Sequence, residues 1–396
     1  MSRAEAPSTH PTPTSAGAAG DYVFTFSYES YADASKRGMM RPPDRLVSRL
    51  MTSPDVRRLL IADPFRSSRT RWGRAILDIG NNAPVDDRIR HVAPERLEKA
   101  DPTDLAEIEA TYRAYESAVR AAADTAGLVR PRFITANPLV GGFSALDWAG
   151  PALYYGRDDW LSSPARKRYW PAYEEAYRRI AASGRAVAAV SEEIIERIAP
   201  TGPHAVVPNG IDPDEWLGPQ PEPPSWFAKI PGPRAVYVGT LDSRLDTEGL
   251  SRLATSRPDL HIVLVGPRPD RSYLAELRTH PNVHVHRDVK RRAISAILRN
   301  AELTLLAHRR TPLTEAMSPL KLYEYLAAGR AVLATDLRPV RGLGDRVLVA
   351  DSVSDFADLV DPALALGIES EPRRRAFVDE NAWSARHERI LALLRT

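Results

Sequence analysis

The residues best suited to chemistry lie in one run from Ser318 to Thr335, Ser-Pro-Leu-Lys-Leu-Tyr-Glu-Tyr-Leu-Ala-Ala-Gly-Arg-Ala-Val-Leu-Ala-Thr. Ser318 can cap a helix, and Pro319 suits the first helical position, where its missing N–H is not needed. The backbone N–H groups of Leu320 and Lys321 would then face outward at the positive end of the helix dipole, an arrangement that binds anions. Lys321 adds a full positive charge there. Glu324 falls one turn further in on the same face, and Gly329 stops the helix ahead of a short apolar strand. A phosphate-binding end and a carboxylate one turn apart could hold the diphosphate and the ribose of a nucleotide. Helices of ordinary α/β proteins also start Ser-Pro, and a Lys–Glu pair at this spacing is often a weak surface ion pair. The surrounding elements must decide.

A second candidate is Tyr154-Tyr155-Gly156-Arg157-Asp158-Asp159-Trp160, where two adjacent carboxylates follow an apolar strand. One of them, Asp158 ahead of Asp159, could act as a base toward a hydroxyl; the other reading is an N-cap for the helix that follows. Asn137-Pro138-Leu139 leads into Gly141-Gly142, a loop where an acceptor or a diphosphate could approach the backbone, though it reads first as a plain turn. Arg41, Arg45 and Arg49 recur on one helix face, and Arg66, Arg69, Arg71 and Arg74 surround Phe65 and Trp72. Such a face suits anionic lipid headgroups or an anionic acceptor, and equally a solvated helix surface.

Elements that alternate strand with helix must position these groups. In the first half strands are expected at 22–26, 59–63, 89–92, 132–136, 152–155, 186–190 and 205–207, with helices at 42–51, 102–126, 164–183 and 192–198. Residues 219–233 carry many prolines without periodicity and read as a linker. The alternation resumes with strands at 235–238, 261–265, 283–286, 303–307, 331–335 and 347–350. Helices are expected at 247–255, 271–279, 290–300 and 319–328, and one long helix at 372–394. Two doubly wound, Rossmann-like α/β domains follow, each offering the carboxyl ends of its strands as a binding rim, with a cleft between them.

The whole chain sets outer bounds. Its 396 residues favour two domains. Lys plus Arg number 54 against 51 Asp plus Glu, a net charge of +3, which is not the balance of a nucleic-acid-binding protein. Basic residues are nonetheless concentrated between Lys36 and Arg74, with eleven Lys or Arg against three Asp. The absence of cysteine excludes disulfides, thiol catalysis and Cys-ligated metals and fits a cytoplasmic location. None of the nine histidines shows ligand spacing. No apolar run reaches the length of a membrane span. Residues 1–20, rich in Pro, Thr, Ser and Ala, read as a disordered tail and not as a signal peptide.

Four stretches in this order resemble the glycosyltransferases of the two-domain architecture called GT-B, near its large retaining family four. They are Val206-Val207-Pro208-Asn209-Gly210-Ile211-Asp212, Val236-Tyr237-Val238-Gly239-Thr240-Leu241, the Ser318 segment, and Asn381-Ala382-Trp383-Ser384-Ala385-Arg386. The resemblance is close over residues 130–396 and a matter of pattern before that. It implies a first, acceptor-binding domain at 21–215, a linker at 216–233, a nucleotide-sugar-binding domain at 234–371, and a final helix at 372–396 that crosses back onto the first domain. It also implies a donor site of Gly239, Thr240, Arg244, Gly266, Val289, Ser318, Leu320, Lys321 and Glu324, with the base read by the His286-Arg287-Asp288-Val289 loop and lined by Gly266 and Pro267. Glycine at 239 permits a phosphate to approach the backbone. Arg244 could add charge to the diphosphate, with Asp242 and Asp246 orienting it or capping the helix near Thr247. An acid at the strand end, here Asp158, also recurs in these enzymes.

One position departs from the family pattern. The sugar-contacting glutamate that precedes the equivalent of Glu324 would fall at Ala316, and Glu315 stands one residue out of register. Glucuronosyltransferases of polysaccharide assembly resemble this chain in carrying a Ser-x-x-Lys-x-x-Glu segment. UDP-glucuronate and a neutral UDP-hexose are therefore both open as donors. The reaction expected is transfer from a nucleotide-diphosphate sugar, UDP-linked, to a carbohydrate, lipid-linked or small-molecule acceptor, with retention and without metal or cofactor. Asp212-x-Asp214 is better read as turn chemistry than as a metal motif. The rival readings are an epimerase of the same fold and a catalytically silent nucleotide-sugar-binding subunit.

Overall fold

The computed structural model describes residues 19–67, 86–98, 100–270, 272–287 and 289–395. The tail at 1–18, Arg69, Arg71, Trp72, Arg74, Arg271 and Asp288 lie outside them. Seven parallel strands form the first sheet: β1 (Gly20–Thr25), β2 (Val56–Ala62), β3 (Ile89–Val92), β4 (Arg132–Thr135), β5 (Ala152–Gly156), β6 (Ala186–Ala189) and β7 (His204–Val206), in the order β3-β2-β1-β4-β5-β6-β7. Six more form the second: β8 (Arg234–Val238), β9 (His261–Val265), β10 (Val283–His286), β11 (Leu303–Leu306), β12 (Ala331–Thr335) and β13 (Val347–Ala350), in the order β10-β9-β8-β11-β12-β13. Both orders reverse direction once, between β1 and β4 and between β8 and β11, so each sheet has a crevice at the carboxyl ends of those strands.

The sequence builds these sheets because their strands are apolar on both faces. Along β8, Val236 and Val238 face one core cluster while Ala235 and Tyr237 face the other, as expected for parallel strands covered on both sides. The proline-rich stretch is no free tether. It contains a short helix, Ser225–Ala228, and buries Trp216, Phe227 and Ile230 in the second domain's core. Apolar anchors at irregular spacing fix a segment whose composition reads as a linker.

Other elements also depart from expectation. The chain's last helix is two helices, Glu371–Glu380 and Trp383–Ala392. Between them the Ile211 N–H donates to the Asn381 carbonyl (3.0 Å) and the Trp383 N–H to the Ile211 carbonyl (2.9 Å), so the linker strand takes hydrogen bonds a continuous helix would need. Val378 packs with the second sheet's core cluster and Ile390, Leu391 and Leu394 with the first sheet's. Gly141 and Gly142 sit inside a helix, Pro138–Phe143, capped by the Asn137 side chain. Their small size is explained by packing: a Cβ on Gly142 would stand 2.5 Å from the Ala176 Cα. The segment expected as a helix at 271–279 forms two short 3-10 turns, Ser272–Leu274 and Leu277–Thr279. The helix Phe356–Ala365 was not expected, because Pro362 interrupts its pattern.

The two domains face each other through named contacts. The Ser191 hydroxyl donates to the Ala316 carbonyl (2.7 Å), and Arg338 reaches across to Glu193 (2.9 Å) and Glu196 (2.9 Å).

Candidate functional site

The crevice of the second sheet holds Lys321. Its helix runs Leu320–Ala327, with Pro319 and not Ser318 in the capping position. Ser318 is drawn away by the linker motif: its hydroxyl accepts from the Asn209 N–H (3.1 Å) and its carbonyl from the Asn209 side-chain amide (2.7 Å). Leu320 and Lys321 thus open the helix, where N–H groups lack intrahelical acceptors.

The Lys321 ammonium donates to the Tyr237 hydroxyl (2.8 Å) and to His308 Nε2 (3.2 Å), and lies 4.3 Å from the centre of the Tyr237 ring. Tyr237 comes from β8, and His308 follows β11, so the strands on either side of the crevice supply the lysine's partners. Burial and the Lys321 and Arg244 charges hold His308 well below the usual imidazole range. It is neutral, its Nε2 accepts, and its buried Nδ1 has no partner. Burial, with Arg244 second, pulls Lys321 down from 10.5 to about 7. A partly buried cation without a carboxylate bonded to it is costly in the empty protein and well matched to an anionic ligand.

The glycines make this geometry possible. Gly239 has φ +151°, and a Cβ there would lie 2.6 Å from Lys321 Nζ. The room it leaves is taken by the ammonium. Gly266 has φ +153°, and its missing Cβ admits the Gly239 carbonyl oxygen, which would otherwise stand 1.9 Å away. Gly266 therefore supports the Gly239 turn from behind rather than lining a pocket with its own open space. Gly266→Ala is expected to destabilise the fold by about 3 kcal/mol or more, read as a lowered urea midpoint.

Arg244 is held by Asp242 through two bonds, Nε at 2.9 Å and a terminal nitrogen at 2.7 Å. Asp246 instead caps the following helix by accepting from the Gly249 N–H (3.2 Å). The Asp242 bond raises the Arg244 pKa most. The Tyr237 hydroxyl meets the Thr240 carbonyl at 3.4 Å.

Glu324 is buried and paired with Arg291, which also binds Glu215 (2.6 Å). Burial pushes its carboxyl above the usual range, against the pull of Arg291. In this structure Glu324 is engaged by Arg291, so a ribose would have to share it. Val289 packs at the edge of the second core. The adjacent His286 is covered by Trp226, ring centres 3.7 Å apart and nearly parallel. Neither this wall of the base loop nor His308 was anticipated. Only the place of His308 directly after an apolar strand could have flagged it.

On the facing rim the two aspartates separate. The Asp159 carboxylate is buried, accepts from the Leu161 N–H (3.3 Å) and lies 3.4 Å from Arg197. It turns the chain and anchors a helix. Asp158 is half exposed, 3.1 Å from Arg157. Ala316 is buried, and Glu315 is bound to the Arg338 N–H (2.8 Å) and near Arg310 (3.7 Å). Of the basic helix face, Arg41 pairs with Glu29, and Arg45 with Asp212 (2.9 Å) and Glu215 (3.4 Å), so much of its charge is neutralised within the protein. Asp212 also caps the turn at Asp214. Among the described residues no group of three or more His, Asp or Glu is placed to hold a metal ion, and no helix is long and apolar enough to cross a membrane.

Residues 232–365 match the family described as Glycosyl transferases group 1. A candidate teichuronic acid biosynthesis glycosyltransferase of Bacillus subtilis (strain 168), TuaH, is 27% identical over 103 residues, a match that spans 26% of each chain. Among solved structures, the E. coli trehalose-6-phosphate structure bound with UDP-2-fluoro glucose superposes with a TM-score of 0.66 at 11% identity, covering 95% of this chain and 99% of that one. Sucrose-phosphate synthase from Thermosynechococcus elongatus gives 0.64 at 15% identity, covering 95% and 98%. At such identities the likeness establishes the fold. The chain has the GT-B fold, and its second domain is similar to the family described as Glycosyl transferases group 1.

Proposed function

We propose that the protein transfers a sugar from a UDP-linked donor to an acceptor hydroxyl, with retention at the anomeric carbon and without a metal ion. The observation that carries this reading is the Lys321 ammonium, seated partly buried at the crevice between β8 and β11 and held by Tyr237 and His308. The leaving diphosphate would meet three fixed positive elements there: Lys321, Arg244 and the start of the Leu320 helix. Oriented charges in a cleft that excludes water stabilise the charge that develops as the glycosidic bond breaks. Asp158 on the opposite rim would receive the acceptor's proton, or the leaving phosphate would take it on the donor's own face. Supporting likenesses are the structure bound with UDP-2-fluoro glucose and a trehalose-6-phosphate synthase studied for glycosyltransfer with retention.

A second reading, a silent nucleotide-sugar-binding subunit, is favoured by Ala316 and Glu315, which leave the expected sugar-contacting carboxylate missing. UDP release from a panel including UDP-glucose and UDP-glucuronate, with cell-extract acceptors, separates the two. Turnover of one donor supports transfer; tight UDP binding with no turnover supports the silent subunit.

Lys321 also predicts a pH dependence. The empty site titrates near 7, and a bound diphosphate would raise that value, so binding takes up a proton above pH 7. Affinity for UDP should be full below pH 7 and fall about tenfold per pH unit above it, until the bound lysine also deprotonates. Calorimetry in buffers of different ionisation enthalpy would show the uptake; a flat affinity from pH 7 to 9 would contradict it.

A further inference from the structure

Resting on the transferase reading above, we infer that Arg166 and Tyr28, packed on the buried Trp160, form the acceptor subsite and that the acceptor is an anionic saccharide, bearing a carboxylate or a phosphate. The site sits at the first sheet's own crevice, between the carboxyl ends of β1 and β4, where doubly wound sheets bind ligands. Tyr28 follows β1 directly, and the Asn137 amide, just after β4, donates to the Ser27 carbonyl (3.1 Å), which fixes the crevice floor.

An aromatic floor is built there. Tyr28 and Trp160 stand edge to face with ring centres 5.2 Å apart, Trp160 and Tyr173 are 5.7 Å apart, and the Tyr28 and Tyr173 hydroxyls are hydrogen-bonded at 2.5 Å. Trp160 and Tyr173 are buried and Tyr28 is partly covered, so the locked rings serve as a fixed platform for the cation that lies on them. The Arg166 guanidinium lies 4.1 Å from the centre of the Tyr28 ring and 6.0 Å from that of Trp160.

Arg166 has no carboxylate partner among the described residues. The nearby Asp101 is already engaged by Arg96 (2.8 Å) and the Tyr112 hydroxyl (3.2 Å). Arg37, Arg41, Arg45 and Arg57, by contrast, all pair with carboxylates. A guanidinium laid on an aromatic ring is pre-organised while its in-plane N–H donors stay free for an oxyanion. Lys167 and Arg168 follow, each beside its own ring, Trp170 and Tyr169, and add to the positive field. A neutral sugar would leave that field unanswered. Asp158, two residues before Trp160, is on the same rim and would meet the acceptor's hydroxyl.

The test is saturation-transfer NMR and calorimetry with three probes, methyl β-D-glucuronide, glucose 6-phosphate and methyl β-D-glucoside, on the full chain and on Arg166→Gln. The wild type should bind at least one anionic probe tenfold or more tightly than the neutral glucoside. Arg166→Gln should remove that preference while its UDP affinity and thermal midpoint stay unchanged. Which anion binds tells a uronate from a sugar phosphate. The inference is overturned if the glucoside binds as well as the anions, if Arg166→Gln keeps the preference, or if none of the probes binds at millimolar concentration. Absence of UDP binding to the wild type would instead sink the transferase reading, whatever the anion titrations show.

Discussion

Lys321→Met is expected to weaken UDP binding about ten- to a hundredfold, because it removes a charge-assisted contact to the diphosphate, such a bond being worth roughly 1.5–3 kcal/mol. The same change should make the empty protein more stable. The unfolded chain binds the lysine's proton up to pH 10.5, while the folded chain releases it near 7. The lysine's cost to the fold is therefore full at and below pH 7 and fades as pH rises toward 10.5. A methionine of similar length removes that cost, so the gain in thermal midpoint should shrink over the same range. Calorimetric titration together with melting curves at pH 6.5 and 9.5 checks both halves. A variant that lost UDP binding by unfolding would show a lowered midpoint, which is the opposite sign.

The second large effect separates the adjacent aspartates. Asp158→Asn should leave UDP affinity unchanged and reduce transfer by about 10²–10⁴-fold, the usual contribution of a positioned base. Asp159→Asn should lower the thermal midpoint by several degrees through loss of the Arg197 pair, with a much smaller effect on turnover per folded molecule. Full activity in Asp158→Asn would remove it from the mechanism and leave proton acceptance to the donor phosphate.

How much of this was legible in the sequence depended on whether a signal is local. Strands such as His261–Val265 and Ala331–Thr335 fall where their apolar runs place them, since both faces are buried and no alternation is needed to recognise them. The break between Glu380 and Trp383 was invisible, because its cause is Ile211, far away in the chain. In the same way Ser318 reads locally as a cap, but Asn209 claims both its hydroxyl and its carbonyl. Lys321 and Arg244 could be named from spacing. Their partners Tyr237 and His308 could not, since only the strand order brings β8 and β11 side by side. Glu324 carries no sequence mark of its pairing with Arg291. The pair Asp158-Asp159 was ambiguous because a cap and a base look alike until burial divides them.

The Lys321 crevice is proposed to hold a nucleoside diphosphate. A crystal structure of the protein with UDP, and with UDP-glucose and UDP-glucuronate in turn, tests this most directly. The expected result is a diphosphate oxygen within hydrogen-bonding distance of Lys321 Nζ and of the Arg244 guanidinium, with the sugar directed toward Asp158. Nucleotide bound elsewhere, or density in this crevice with Lys321 still turned only to Tyr237 and His308, would contradict it.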